Sequence, residues 1–193
     1  MRRLCVFCGS ASGTRPEYLA AAQELGETMA KEDIQLVYGG GRVGLMGAVA
    51  DSVLKHGGTV IGIMPERLAA KEIAHHGLTE LHIVKSMHER KATMAEMSDG
   101  FIAMPGGFGT IEEFCEVLTW SQLGFQKKAC GLLNVIGFYD SLIKLFDEMT
   151  EQQFVAPVHR ELVLVSDNPK EMIQHVVNYT HTAPDKWLQR TEL

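Results

Sequence analysis

The sequence predicts an α/β fold: a single doubly wound parallel sheet with helices on both faces. Three observations carry this. Short apolar runs alternate with amphipathic helical stretches from Leu4 to Tyr179, as repeated βα units do. Glycine clusters follow three of the runs, after Phe7, Tyr38 and Met104, and open α/β sheets bind ligands at the carboxyl ends of their strands. The 193 residues, 46% hydrophobic and 22% charged, suit one domain with a full core. That domain is read as residues 1–180, followed by a polar tail over 181–193, loose apart from an anchor at Trp187.

Leu4 to Phe7 is the first strand, and the small-residue loop from Cys8 to Gly13 leaves its end, making Gly9 and Ser10 candidate pocket residues. Pro16 opens a helix to about Lys31, with Leu19, Ala22, Leu25 and Met29 at helical steps. Ile34 to Tyr38 is the second strand, followed by Gly39-Gly40-Gly41 and a helix to about His56; Gly40 and Gly41 join the candidate pocket. Gly39, Gly41 and Gly44 satisfy the dinucleotide pattern G-x-G-x-x-G. The turn follows the second strand rather than the first, however, and the next acidic residue, Glu66, stands behind Pro65. A nucleotide-shaped pocket therefore fits better than NAD binding. Thr59 to Ile63 is a strand, and Pro65 to Gly77 reads as irregular, with His75 and His76 as solvated loop residues.

Leu81 to Val84 is a strand and Met87 to Met97 a helix carrying the adjacent cations Arg90 and Lys91. The pair reads either as a solvated face or as a clamp for phosphate or carboxylate oxygens. Phe101 to Met104 reads as a buried parallel strand ending at Pro105, and Thr110 to Leu123 as a helix with Ile111, Phe114 and Leu118 on one face. Ala129 to Asn134 is the next strand. Gly137 to Asp140 then starts a helix that runs through Met149, and Gln152 to Arg160 reads as a connection. Leu162 to Val165 is the last strand, and Asn168-Pro169 opens the last helix, to about Tyr179.

Bulk properties exclude several functions. A formal net charge of -6 argues against a nucleic-acid or membrane-surface binder. No stretch is apolar for long enough to span a bilayer. The run after Met1-Arg2-Arg3 is too short for a signal-peptide core, and four cysteines fit a reducing compartment, so a cytoplasmic protein is expected. Cys5 and Cys8 form a C-x-x-C, but across a strand rather than at a helix start, and Cys115 and Cys130 supply no second close pair for zinc. They read as buried small residues, and neither a metal nor a cofactor is expected.

The stretch Asp99 to Gln122 carries the chemistry. Strand, glycine turn and helix follow one another, with Gly106, Gly107 and Gly109 where a ligand approaches the backbone. Free N–H groups and the positive dipole end at the helix start make an anion site, most often for phosphate. Glu112 and Glu113 stand just inside that helix. We expect Gly106 to Thr110 to hold a phosphate while an ionised Glu113 acts on the bond beyond it.

Met104-Pro105-Gly106-Gly107-Phe108-Gly109-Thr110-Ile111-Glu112-Glu113 resembles the P-G-G-x-G-T-x-x-E signature of the LOG (Lonely Guy) family, the cytokinin riboside 5'-monophosphate phosphoribohydrolases. Val6 to Ser10, Tyr38 to Gly41, Gly44 to Gly47, Met87 to Lys91 and Leu132 to Asn134 resemble further family blocks in the same order. The resemblance implies a Rossmann-like fold, a homodimer, no cofactor, and hydrolysis of the N-glycosidic bond of a nucleoside 5'-monophosphate to free base and ribose 5-phosphate. It makes Arg90 and Glu113 catalytic. It puts substrate contacts on Glu72, Arg90, Lys91, Gly107, Phe108, Gly109, Thr110, Ile111, Glu112, Glu113 and Thr119. A general AMP nucleosidase would use the same residues. A decarboxylase would need a pyridoxal-bearing lysine, for which Lys91 beside Arg90 is a poor setting. A non-catalytic nucleotide-binding module would not require Glu113.

Overall fold

The structure, a computed structural model, describes residues 1–69 and 74–184. Its strands are β1 (Arg3–Phe7), β2 (Gln35–Tyr38), β3 (Val60–Pro65), β4 (Glu80–Val84), β5 (Gly100–Ala103), β6 (Ala129–Leu133) and β7 (Val163–Ser166). They form one sheet in the order β4-β3-β2-β1-β5-β6-β7, parallel throughout. The chain winds outward from β1 to β4, then crosses back to lay β5 against the free side of β1. The crevice of such a sheet opens where the order turns, between β1 and β5.

Eight helices accompany the strands among the described residues: α1 (Pro16–Lys31), α2 (Gly44–Lys55), α3 (Glu66–Ala69), α4 (Met87–Met97), α5 (Phe108–Gln122), α6 (Asp140–Glu151), α7 (Pro157–Arg160) and α8 (Pro169–Val177). Strand pleating sends alternate side chains to opposite faces. Leu4 and Val6 meet Leu25 and Met29 of α1, Val49 and Val53 of α2, and Met172 and Ile173 of α8. Cys5 and Phe7 meet Met94 of α4, Phe114 and Val117 of α5, and Phe146 of α6. Each large apolar side chain so buried stabilises the fold by roughly 1.5–3 kcal/mol. The doubly wound architecture matches the sequence expectation.

Local readings need correction at several points. Residues 66–69 form a short helix inside the stretch read as irregular, and Pro157–Arg160 forms another inside the presumed connection, with Pro157 supplying the favourable first-turn φ. The central helix starts at Phe108, not Thr110, because Gly107 takes the extended N-cap conformation. A 3-10 turn, Val135–Gly137, precedes α6. His75 is no solvated loop residue, since its Nε2 pairs with Asp51 Oδ1 at 2.9 Å. The tail is held at its start: Ala183 is buried, and His159 Nε2 donates to the Pro184 carbonyl at 3.0 Å. Trp187 lies outside the described residues.

Candidate active site

Two loops emerge side by side at the turn in strand order, one after β1 and one after β5. Gly9 N–H donates to the Pro105 carbonyl at 3.0 Å and joins them. The Gly9 carbonyl in turn accepts from Leu45 and Met46 N–H at 3.0 and 3.3 Å, which ties in the start of α2. A cleft of about 400 Å³ opens over this junction. Gly9, Ser10, Arg90, Gly107, Phe108, Gly109, Thr110, Glu112 and Glu113 all line it. A second hollow of about 250 Å³ adjoins it through Gly9, Ser10 and Gly107, and is walled by Tyr18 and Phe138, whose rings meet edge to face at 5.8 Å.

The start of α5 is built to receive an anion. No side chain caps the helix at Gly107, so its first-turn N–H groups remain available to a ligand. Gly106 is forced by packing: a β-carbon there would overlap the Thr110 hydroxyl, and Thr110 is itself buried. The turn is held from below by Tyr139, whose buried hydroxyl donates to the Met104 carbonyl at 2.6 Å.

Arg90 and Glu113 meet in the cleft. Arg90 Nη1 donates to Glu113 Oε1 at 3.0 Å, with the two side chains 12% and 11% exposed. Arg90 Nε donates to the Ile63 carbonyl at 3.2 Å, at the end of β3. Glu113 lies more than one turn into α5, beyond the first turn where the helix dipole acts strongly. The expectation that the dipole keeps it readily ionised therefore needs correcting. Burial pushes its carboxyl above the usual carboxylate range, and the Arg90 cation pulls the other way. The pair thus holds one carboxylate in a sheltered position and a planar guanidinium with donors to spare.

Lys91 sits beside them but faces differently. Its ammonium reaches Glu112 Oε1 and, at 3.1 Å, Glu116 Oε1, clamping α4 to α5. The hydrogen bond to Glu112 leads in holding it protonated. Phe108 is 94% exposed at the cleft mouth, and Ile111 is half-buried. Thr119 lies away from the cleft: its hydroxyl donates to the Cys115 carbonyl at 2.7 Å, and it borders an apolar groove of about 240 Å³ with Leu118, Phe146 and Met149. Gly40 and Gly41 are buried and do not line the cleft; Gly40 faces Met64 and Leu81, and Gly41 faces Met46. Glu72 lies outside the described residues. Sequence reasoning missed the Ile63 carbonyl, the Tyr139 brace, Glu116 and the methionines Met46, Met87 and Met94 that line the cleft. Ile63, Tyr139, Met46 and Met87 were signalled only by their place near strand ends and helix starts; Met94 and Glu116, deeper in α4 and α5, carried no such signal. Among the described residues no group of three His, Cys, Asp or Glu could hold a metal ion.

A protein-family model described as "Possible lysine decarboxylase" matches residues 46–176. Two cytokinin riboside 5'-monophosphate phosphoribohydrolases of Arabidopsis thaliana are each 46% identical over 178 residues, covering 92% of this chain and 82% and 83% of those proteins. Among solved structures, the molybdenum cofactor carrier protein from Chlamydomonas reinhardtii superposes with a TM-score of 0.70 at 23% identity, covering 91% of this chain and 96% of that one. At that identity the likeness is one of fold.

Proposed function

Because this chain belongs to the LOG (Lonely Guy) family, we propose that it hydrolyses the N-glycosidic bond of an adenosine-type nucleoside 5'-monophosphate, releasing the free base and ribose 5-phosphate. The single observation that carries the reading is the Arg90–Glu113 pair, sheltered in a cleft that also receives the uncapped start of α5. Breaking the C1'–N bond builds positive charge on the sugar, and a nearby carboxylate stabilises that charge and takes a proton from the attacking water. Glu113 serves in that role. Arg90 keeps its proton, so it acts by hydrogen bonding and by electrostatic support of the substrate. The first-turn amides at Gly107 to Thr110 take the 5'-phosphate, with Gly9 and Ser10 beside them. The balance is simple: water oxygen bonds to C1', the C1'–N bond breaks, and one water proton ends on the departing base.

Lys91 serves this site as a strut between helices, because its charge is already spent on Glu112 and Glu116. The decarboxylase description attached to the family model fits the residues poorly. Among the described residues no lysine lines the cleft, and Lys91 is held protonated where a Schiff-base lysine needs a lowered pKa. Incubation with N6-isopentenyladenosine 5'-monophosphate and with AMP, followed by chromatography, tests the reading. Free base and ribose 5-phosphate are expected, and no release from either substrate overturns it.

The hydrolase unit is taken as residues 1–180, working as a homodimer in the cytoplasm. The exposed apolar rings Phe125 and Phe154, 76% and 79% exposed, support pairing between copies. The helix at Met87–Met97 is a second candidate surface, to which Met87 contributes an exposed side chain, while Met94 is buried and Met97 packs on the core. Four free cysteines support a reducing compartment. No helix among the described residues is long and apolar enough to cross a membrane. Light scattering across a concentration series tests the dimer; a mass of one chain at every concentration would refute it.

A further inference from the structure

We propose that Gly39 is a positioning residue that sets the Arg90 guanidinium against Glu113. Its absent side chain leaves the space that the guanidinium occupies. This rests on the hydrolase reading for its functional consequence, and on geometry for the placement itself. A β-carbon built on Gly39 would overlap Arg90 Nη2 and lie 3.1 Å from Cζ, with Nε next nearest at 3.6 Å. Gly39 is not among the glycines with positive φ, which include its neighbours Gly40 and Gly44. The position needs glycine for room, not for backbone freedom.

The guanidinium is thus fixed on three sides. Nε donates to the Ile63 carbonyl, Nη1 donates to Glu113, and Nη2 lies over the Gly39 backbone. Gly39 and Arg90 both line the cleft. The overlap has a particular character: all three atoms nearest to the added β-carbon belong to the far end of one long side chain. A methyl group at Gly39 therefore displaces Arg90 rather than the backbone, so the fold survives and the pair does not. This accounts for a residue that the sequence presents as part of a dinucleotide-like glycine pattern. Gly41, in the same pattern, likewise admits a side chain, the Met46 thioether.

The test is Gly39→Ala, alone and combined with Arg90→Ala, assayed on the 5'-monophosphate with melting temperatures alongside. A misplacement of about 1 Å in a reacting constellation costs on the order of 100-fold, so kcat is expected to fall about that far in Gly39→Ala. KM should change by much less, and the melting temperature by a few degrees at most. In the Arg90→Ala background the same change should cost nothing further, since a residue acting through Arg90 has nothing left to position. Independent, multiplying losses in the double variant would overturn the proposal, as would wild-type kcat in Gly39→Ala. So would a Gly39→Ala protein that does not fold, since the clash would then be with the frame. The Arg90 Nε–H resonance reads placement without turnover: it should be distinct and slow to exchange in the wild type and shifted in Gly39→Ala. An unmoved resonance refutes the placement, whereas a wild-type protein that releases no base defeats the hydrolase reading and leaves the resonance to decide the placement.

Discussion

The hydroxyl of Tyr139 donates to the carbonyl of Met104 at 2.6 Å, inside the core and directly beneath the glycine turn. Tyr139 begins where α6 is about to start, and Asn134 holds its backbone N–H with a side-chain oxygen at 2.6 Å. The loop after β6 thus braces the loop after β5. Tyr139→Phe removes one donor and leaves a buried carbonyl without it, which costs about 1–3 kcal/mol. Denaturant unfolding should show that loss, and the Michaelis constant for the 5'-monophosphate should rise as the turn loosens. Unchanged stability would mean that the carbonyl is satisfied elsewhere.

Glu113→Gln keeps the shape of the side chain and an oxygen for Arg90, but not the charge. Turnover should fall by the equivalent of roughly 3–4 kcal/mol, comparable to removing one well-placed electrostatic group from an active site. Binding of ribose 5-phosphate, followed by calorimetry, should persist because the amides at the start of α5 are untouched. Hydrolysis at the wild-type rate would remove Glu113 from the mechanism.

Removing the 5'-phosphate from the substrate should abolish most of kcat/KM. The nucleoside retains sugar and base but gives the uncapped helix start nothing to hold. Parallel assays of a nucleoside and its monophosphate decide the matter, and equal rates would show that the glycine turn does not grip phosphate.

The acid side of the pH profile should report Glu113. Burial raises its carboxyl, so kcat/KM should decline on acidification at a higher pH than an exposed glutamate, near 4.3, would give. Stability follows the same group with the opposite sense. Between the unfolded pKa and the raised folded pKa the native state binds more protons, so stability falls as pH rises through that interval and the penalty is complete above it. Relative to wild type, Glu113→Gln should therefore gain melting temperature as the pH rises through that interval, because the variant has no carboxyl there to ionise. A gap that does not change with pH would assign the difference to packing.

Much of this was legible in the chain itself. Alternating runs gave the parallel sheet, and the stretch from Phe101 to Glu113 gave strand, glycine turn and helix with nearly correct limits. Arg90 and Glu113 were legible as a pair because the family resemblance makes both catalytic, through two separate blocks, not because their spacing does. What the sequence concealed was occupancy of space. The glycines after Tyr38 looked like a ligand cradle, but their room is taken by Arg90 and Met46. Lys91 looked like a free cation until α5 supplied two carboxylates for it. Thr119 shares a helix with Glu113 yet lies by another groove, since six residues along α5 leave it about 120° around the axis and about 9 Å further along.

The Gly9–Pro105 link has a consequence for when the protein becomes competent. It spans the seam between a wing assembled from the early strands and a wing begun by β5, and the two partners are far apart along the chain. Arg90 arrives on the crossover between those wings, and Glu113 on the first helix of the later one. During synthesis the early wing carries its arginine before the Glu113 carboxylate of α5 exists to set against it. A chain that ends before α5 therefore lacks the Arg90–Glu113 pair, and the brace from Tyr139 to the loop after β5 comes later still.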